Sequence, residues 1–123
     1  MAAPDDIRSA VRRYLATVAD GSAKEIAALY AEDATVEDPV GTPAHQGRAA
    51  IEKFYGALES VRTTTELLDI RVAGDNAAFG FRVVTDTGDR TLTIEPIDVM
   101  TFDDDARITS MRAYWSPDDI ALG

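Results

Sequence analysis

An aspartate in the stretch TVEDPVG, residues 35–41, occupies a position where the pattern favours an apolar side chain. Side chains alternate between the two faces of an extended chain, so Asp38 shares a face with Val36 and Val40. Pro39 restricts the backbone of the preceding residue to extended geometry, which fixes the direction in which the Asp38 side chain starts. The sequence therefore predicts an ionisable group held at a fixed place beside apolar residues.

A second aspartate and a tyrosine fall in similar apolar surroundings. In TLTIEPIDVMTF, residues 91–102, Asp98 has the same parity as Met100, unless Pro96 introduces a bulge that shifts the register. Tyr14 lies on the apolar stripe of a predicted helix. We therefore expect two carboxylates and a phenol to face the interior of the protein.

Two interpretations of these groups remain open at this point. Burying an ionised carboxylate without partners is costly, so each aspartate must be paired, hydrogen-bonded or protonated. A structural interpretation pairs them with Arg48, Arg82 or Arg112, or places them in turns at strand ends. A functional interpretation uses them together, because two acids in different environments and a phenol can perform acid–base chemistry on an apolar substrate.

Composition excludes several classes of function. The chain has 123 residues, of which 46% are hydrophobic, and this suits one domain, 1–123, with a real core. Its formal net charge of −10 argues against a nucleic-acid partner. The absence of cysteine excludes thiol chemistry, and a single histidine, His45, excludes a multi-histidine metal site. We expect His45 to be exposed in a polar loop.

Other candidate sites are weaker. The acidic run Asp103, Asp104 and Asp105 has cation-binding groups, but such turns are usually solvated, so we expect no metal. Ser22 and Ser110 have no histidine at a local spacing, and no glycine-rich phosphate loop is present. No apolar run approaches ~20 residues and the N-terminus lacks a signal-peptide pattern, so we expect a cytoplasmic protein without membrane contact.

The first half of the sequence predicts three helices. Helical spacing of apolar residues runs from Pro4 to Gly21, and a capping-box pattern beginning at Ser22 opens a second helix that includes Tyr30. A short strand at TVEDP and a loop follow. A third helix then spans residues 51–58.

The second half of the sequence predicts strands. After residue 60 the period of apolar residues changes from about 3.6 to 2, with turns at residues 74–76 and 86–89. A long strand runs to Phe102, and a last strand includes Trp115. Helices followed by hairpins predict an α+β fold, in which a curved antiparallel or mixed sheet wraps around the three helices and leaves a concave pocket.

The segments that carry these residues resemble a known family. RRYLATVADG, ALYAEDATVEDPVG, PIDVMTF and RAYWS occur in the order and with the spacing of bacterial Δ5-3-ketosteroid isomerases, over nearly the whole chain. That family is part of a wider group of cone-shaped α+β proteins, the nuclear transport factor 2-like or SnoaL-like proteins, which also includes polyketide cyclases and limonene epoxide hydrolase. The resemblance implies a conical apolar pocket, a homodimer, no cofactor, and isomerisation of 3-oxo-Δ5-steroids through a dienolate.

The resemblance also implies a role for each polar residue. Asp38 matches the general base, which carries a proton from C4 to C6 of the steroid. Tyr14 and Asp98 match the two hydrogen-bond donors of the oxyanion hole, with Asp98 held as a neutral acid. Tyr30 and Tyr55 match tyrosines that hydrogen-bond towards the catalytic phenol. We expect donors from nearby loops to keep Asp38 ionised.

Nine further residues are candidates for the wall of the steroid pocket. They are Val18, Phe54, Leu58, Phe79, Phe81, Val83, Met100, Met111 and Trp115. Two rival functions remain. A polyketide cyclase of the same shape would use an aspartate base without both Asp98 and the set of three tyrosines, and a non-catalytic module would only hold a lipid or steroid.

Overall fold

Helix α1 spans Pro4–Asp20 in the computed structural model, which describes all 123 residues of the chain. The helix begins as predicted, with a proline in its first turn followed by two acidic residues that suit the positive end of the helix dipole. Its buried stripe consists of Ile7, Val11, Tyr14, Leu15 and Val18. Since this stripe packs against the sheet, Tyr14 lies on the inner side of the helix.

Helix α2 is shorter than the sequence predicts. It spans Ala23–Ala27 and begins with the predicted capping box. Tyr30, expected in this helix, is instead the first residue of strand β1, Tyr30–Glu37. The spacing of apolar residues is compatible with another helical turn, but pairing of Tyr30 with Ile108 on a distant strand ends the helix earlier.

Eight strands form one sheet, and the α+β prediction is confirmed. The remaining elements in chain order are β2 (His45–Gln46), α3 (Arg48–Tyr55), a 3-10 helix (Gly56–Ser60), β3 (Arg62–Ala73), β4 (Asn76–Asp86), β5 (Thr91–Ile94), β6 (Ile97–Phe102), β7 (Ile108–Tyr114), a second 3-10 helix (Pro117–Asp119) and β8 (Ala121–Leu122). The strand order is β2-β1-β7-β6-β4-β5-β8, and β3 also pairs with β4. The sheet is mixed, because β1 and β7 are parallel whereas the other pairs are antiparallel.

The single strand predicted to end at Phe102 is two strands. Glu95 and Pro96 separate β5 from β6, since proline has no N–H group to donate to a strand ladder. One half of β4 pairs with β6 and the other half pairs with β5. Within β6 the predicted parity holds: Asp98 is buried with Met100, and Ile97 on the other face is exposed.

The helices cover only part of one face of the sheet. Helix α1 packs mainly on β3, and α3 packs on α2 and β1. The 22 buried hydrophobic residues form one core cluster between these layers. Beyond the covered part, the inner face of the sheet lines an open cavity. None of the helices is long and apolar enough to cross a membrane.

Candidate active site

One cavity in the protein is mostly apolar and contains the predicted polar groups. It has a volume of about 290 Å³, and 11 of its 16 lining residues are hydrophobic. Tyr14, Asp38, Tyr55 and Asp98 all contribute to its wall. The size and lining suit a compact apolar ligand with few polar groups.

Six of the nine predicted wall residues line this cavity. They are Val18, Phe54, Leu58, Phe81, Val83 and Trp115. The other three lie in the core behind it: Met100 and Met111 pair across β6 and β7 and are almost completely buried, and Phe79 packs edge-on against Tyr14 at 6.4 Å between ring centroids. Strand parity identifies the face on which a residue lies, but not whether helices cover that part of the face.

Asp38 directly follows β1 and is held by contacts to β7. The backbone N–H of Val40 donates to the Ala113 carbonyl at 2.8 Å, and the Asp38–Pro39 peptide bond is cis. The indole Nε1–H of Trp115 donates to Oδ1 of Asp38 at 2.7 Å. The expected donor to Asp38 is therefore an indole beyond the end of β7.

The short loop after Asp38 is closed by a neighbouring glutamate. Gly41 adopts φ of 102°, a conformation that glycine adopts without steric cost, and its N–H donates to Oε2 of Glu37 at 2.9 Å. Arg112 binds the other carboxylate oxygen of Glu37 at 3.1 Å. These contacts fix both ends of the segment that carries Asp38.

Opposing effects act on the charge of Asp38. Burial raises the pKa of the Asp38 carboxyl above its ordinary value, whereas the Trp115 hydrogen bond and the nearby His45 favour the ionised form and lower the pKa. His45 itself is half-buried and stacks on Phe54 at 4.6 Å, so the expectation that it is exposed in a loop was wrong. The sole histidine thus packs against Phe54, which lines the cavity, and lies close enough to Asp38 to act on its charge.

Asp98 is in a different environment. It is 1% exposed, lies between Phe79 of β4 and Ala113 of β7, and its Oδ1 has no hydrogen-bond partner. Burial, and then the charge of Asp38, raise the pKa of Asp98 well above its ordinary value. A carboxyl in such a place favours its neutral form, which can donate a hydrogen bond.

The structure contains no ion pair between these aspartates and an arginine. The three arginines considered have other partners: Arg48 donates to the Tyr30 carbonyl, Arg82 pairs with Glu66 and Glu95, and Arg112 pairs with Glu37. The interpretation of Asp38 and Asp98 as members of structural salt bridges therefore has no support in the contacts.

The three tyrosine hydroxyls form a chain with Tyr55 at its centre. Tyr55 OH lies 2.9 Å from Tyr14 OH and 2.7 Å from Tyr30 OH. Tyr30 therefore reaches Tyr14 only through Tyr55, the last residue of α3. Burial raises the pKa of all three phenols well above the ordinary value, so Tyr14 keeps its proton as a hydrogen-bond donor.

Several lining residues were not identified from the sequence. They are Ala57, Thr63, Thr85, Ile94, Pro96 and Ala113. Thr85 has the same parity as Phe81 and Val83 on β4, and Thr63 is its register partner on β3. That parity was the available signal, but threonine on a strand is compatible with either face.

The arrangement brings together in one apolar cavity the carboxyl of Asp38 and two groups, Tyr14 and Asp98, whose raised pKa values favour their neutral forms. Asp38 can accept a proton, while Tyr14 and Asp98 can donate hydrogen bonds to a developing oxyanion. Such a set suits proton abstraction beside a carbonyl group. The chain has no group of three or more His, Cys, Asp or Glu side chains arranged to hold a metal ion.

Comparisons with known proteins agree with this fold. Residues 11–111 match the model of the SnoaL-like domain family. The chain is 58% identical over 117 residues, 95% of each chain, to a "Steroid Delta-isomerase" of Nocardioides simplex.

The solved structure of SalBIII, an epoxide hydrolase/cyclase-like enzyme of pyran ring formation in salinomycin, superposes with a TM-score of 0.92 at 26% identity over the whole of both chains. RV0760c of Mycobacterium tuberculosis gives a TM-score of 0.90 at 20% identity over the whole of both chains, a likeness of fold alone. The chain belongs to the SnoaL-like family, in the branch that contains this steroid Delta-isomerase.

Proposed function

We propose that this protein is a cofactor-independent steroid Δ-isomerase, which moves the C5–C6 double bond of a 3-oxo-Δ5-steroid into conjugation with the C3 ketone. The observation that carries the proposal is the contrast between two carboxyl groups of one apolar cavity. Asp38 has a hydrogen-bond donor that favours its charge, whereas Asp98 has none and is buried. The 58% identity to a protein named steroid Delta-isomerase supports the same reaction.

In the proposed reaction Asp38 carries the proton. The carboxylate removes a proton from C4, the C4–H electrons form a C3–C4 double bond, and the carbonyl electrons move to the C3 oxygen as a dienolate. The carboxylic acid then returns the same proton to C6 while the oxyanion collapses to the ketone. Trp115 orients the carboxylate and favours its ionised state before the substrate binds.

Tyr14 and Asp98 stabilise the dienolate oxygen in this proposal. Both have raised pKa values, so both keep the protons they need in order to donate. An ionised Asp98 would instead repel the oxyanion. Loss of one donor of this kind typically costs about 2.7–4 kcal/mol of transition-state stabilisation. Tyr55 orients the Tyr14 hydroxyl through their 2.9 Å contact.

The rival functions explain less of the site. A polyketide cyclase would need an aspartate base, and the fold shared with SalBIII is compatible with one. It would not require a buried acid at Asp98 or the tyrosine chain. A module that only binds lipid would gain nothing from an unpartnered carboxyl in its wall, which reduces affinity for apolar surfaces.

We further propose that the enzyme is a homodimer that acts in the cytoplasm. Ile97 and Tyr114 are register partners on the sheet face opposite the cavity, and they are 53% and 43% exposed. Adjacent exposed apolar side chains can form a contiguous patch, and such patches mark interaction sites. Sedimentation at micromolar concentration tests the dimer, and Ile97→Asp should yield a monomer if this face is used.

Turnover of 5-androstene-3,17-dione tests the proposed reaction. We expect growth of the absorbance of the conjugated enone, and much slower growth with Asp38→Asn. A folded protein that binds the steroid but does not turn it over would support the binding module and contradict the isomerase. Measuring transfer of deuterium from C4 to C6 further tests whether one base carries the proton.

A further inference from the structure

Two buried polar side-chain atoms in the whole chain have no hydrogen-bond partner, and both belong to residues that line the same cavity. They are Oδ1 of Asp98 and Oγ1 of Thr63. Buried polar atoms without partners are rare in folded proteins, and each calls for an explanation. The reacting ketone accounts for Asp98 in the proposed function. Thr63 has no part in that chemistry.

Thr63 lies far along the cavity wall from Asp98. On β4, Phe79 is the register partner of Asp98, and Thr85 is the register partner of Thr63. Thr85 lies six residues after Phe79 on this strand. Between them Phe81 and Val83 line the cavity. The two unpartnered atoms therefore belong to opposite ends of the wall formed by β4, with apolar side chains between them.

A second hydroxyl group lies beside Thr63 in the cavity wall. Thr63 is 6% exposed, and its register partner Thr85 also lines the cavity. The nearby Thr65 is different, because its hydroxyl donates to the Leu15 carbonyl at 2.8 Å and is thereby satisfied. A rotation of threonine to the next staggered χ1 rotamer moves its hydroxyl to the position that its methyl group occupied, so Oγ1 of Thr63 can turn towards a ligand.

We infer that Thr63, beside Thr85, forms a second polar subsite, which hydrogen-bonds an oxygen substituent on the ring remote from the reacting ketone. The inference rests on the proposed function and narrows its substrate class. A steroid bound with its C3 oxygen at Tyr14 and Asp98 directs its five-membered ring away from them, along the apolar wall. An oxygen on C17 can then meet the Thr63 hydroxyl, as the C3 oxygen meets Asp98.

A pair of substrates isolates this contact. The kcat/KM of the wild type is measured with 5-androstene-3,17-dione and with 5-androsten-3-one, which lacks the C17 oxygen. We expect a preference of roughly tenfold for the 17-oxo steroid, the size of one neutral hydrogen bond in a dry site. Thr63→Val, which has nearly the same shape, should abolish this preference, so that the ratio of the two kcat/KM values falls from roughly ten to about one.

Thr65→Val is the matched control. It removes a hydroxyl from the same strand, so it should lower the thermal midpoint of unfolding, but it should keep the preference for the 17-oxo steroid. Thr63→Val should raise that midpoint, because it removes an unsatisfied hydroxyl. A preference that survives in Thr63→Val, or is absent from the wild type, overturns the subsite.

Failure of the subsite and failure of the proposed function give different results. If neither steroid is isomerised, the proposed reaction is wrong. If both are isomerised equally well, only the subsite is wrong. Binding of estrone and its 17-deoxy analogue to the wild type provides a test that needs no variant. Equal affinity for the two phenols would likewise overturn the subsite.

Discussion

The indole nitrogen of Trp115 lies 2.7 Å from Oδ1 of Asp38, although 77 residues separate them in the sequence. Strands β1 and β7 are parallel neighbours, and Glu37 is in register with Arg112. The residues just beyond the C-terminal ends of the two strands therefore lie close together. The parallel pair thus places a hydrogen-bond donor beside a partly buried carboxylate. This donor favours the ionised form of Asp38, whereas burial raises the pKa of its carboxyl.

Replacing Trp115 by phenylalanine should lower kcat/KM at acidic pH. Trp115→Phe keeps an aromatic ring but removes the N–H donor, so the pKa of Asp38 rises further and less of the base is ionised in acid. The acid limb of kcat/KM should move to higher pH, with about a tenfold loss on that limb, the low end for a hydrogen bond to a charged group. The two profiles should converge at high pH, where Asp38 is ionised in both proteins. A uniform loss at every pH would indicate a packing role for the indole instead.

Asp38→Asn should remove most of the turnover while sparing steroid binding. An amide cannot accept the C4 proton, and loss of a general base typically lowers the rate on the order of 10²–10⁴-fold. Titration with a steroid phenol should give an affinity equal to or higher than that of the wild type, because Tyr14 and Asp98 remain.

Asp33→Asn is the control for this change. Asp33 is an exposed acid on the same strand, so its amide variant should keep the wild-type rate. Wild-type turnover by Asp38→Asn would mean that another residue is the base.

The candidate catalytic residues could be located from the sequence because each departs from a periodic pattern. Parity on β6 predicted that Asp98 faces inward, and helical spacing predicted the same for Tyr14, as the structure confirms. A polar residue on an apolar stripe is visible without knowledge of the tertiary structure. The sequence segments that contain these residues also supported the resemblance to a known family.

What the sequence did not predict depends on contacts between distant segments. The Trp115–Asp38 hydrogen bond requires the parallel pairing of β1 and β7, which no local pattern specifies. Likewise, Met100 and Met111 have inward parity, but whether such residues meet the core or the cavity depends on where the helices end above them. Tyr30 begins a strand because Ile108 pairs with it, against a local preference for helix.

Asp98→Asn and Asp98→Leu should separate a neutral donor from a structural acid. The amide can still donate to the dienolate oxygen, whereas leucine cannot. We expect Asp98→Leu to lower kcat on the order of 10²–10³-fold, the usual effect of losing one oxyanion donor, and Asp98→Asn to have a smaller effect. The measurement is kcat at saturating steroid, with near-ultraviolet circular dichroism as a check on folding. Equal losses would contradict the donor role.

The buried acid at Asp98 should also make the stability of the protein depend on pH in the absence of steroid. Its pKa is raised well above the ordinary value of 3.8, so over a range of pH the folded state holds a proton that the unfolded state has released. The contribution of Asp98 is then most favourable below that ordinary value and is lost as pH rises towards the folded pKa, with a limiting slope of about 1.4 kcal/mol per pH unit. In Asp98→Asn this dependence is absent, because an amide does not titrate.

Urea unfolding of both proteins at a series of pH values measures the difference between their free energies of unfolding. The contribution of Asp38, which is present in both proteins, largely cancels in this difference. The difference should favour the wild type more at low pH than at high pH. A difference that stays constant from about pH 4 upwards would mean that Asp98 is ionised in the folded protein, and it could then not donate to an oxyanion.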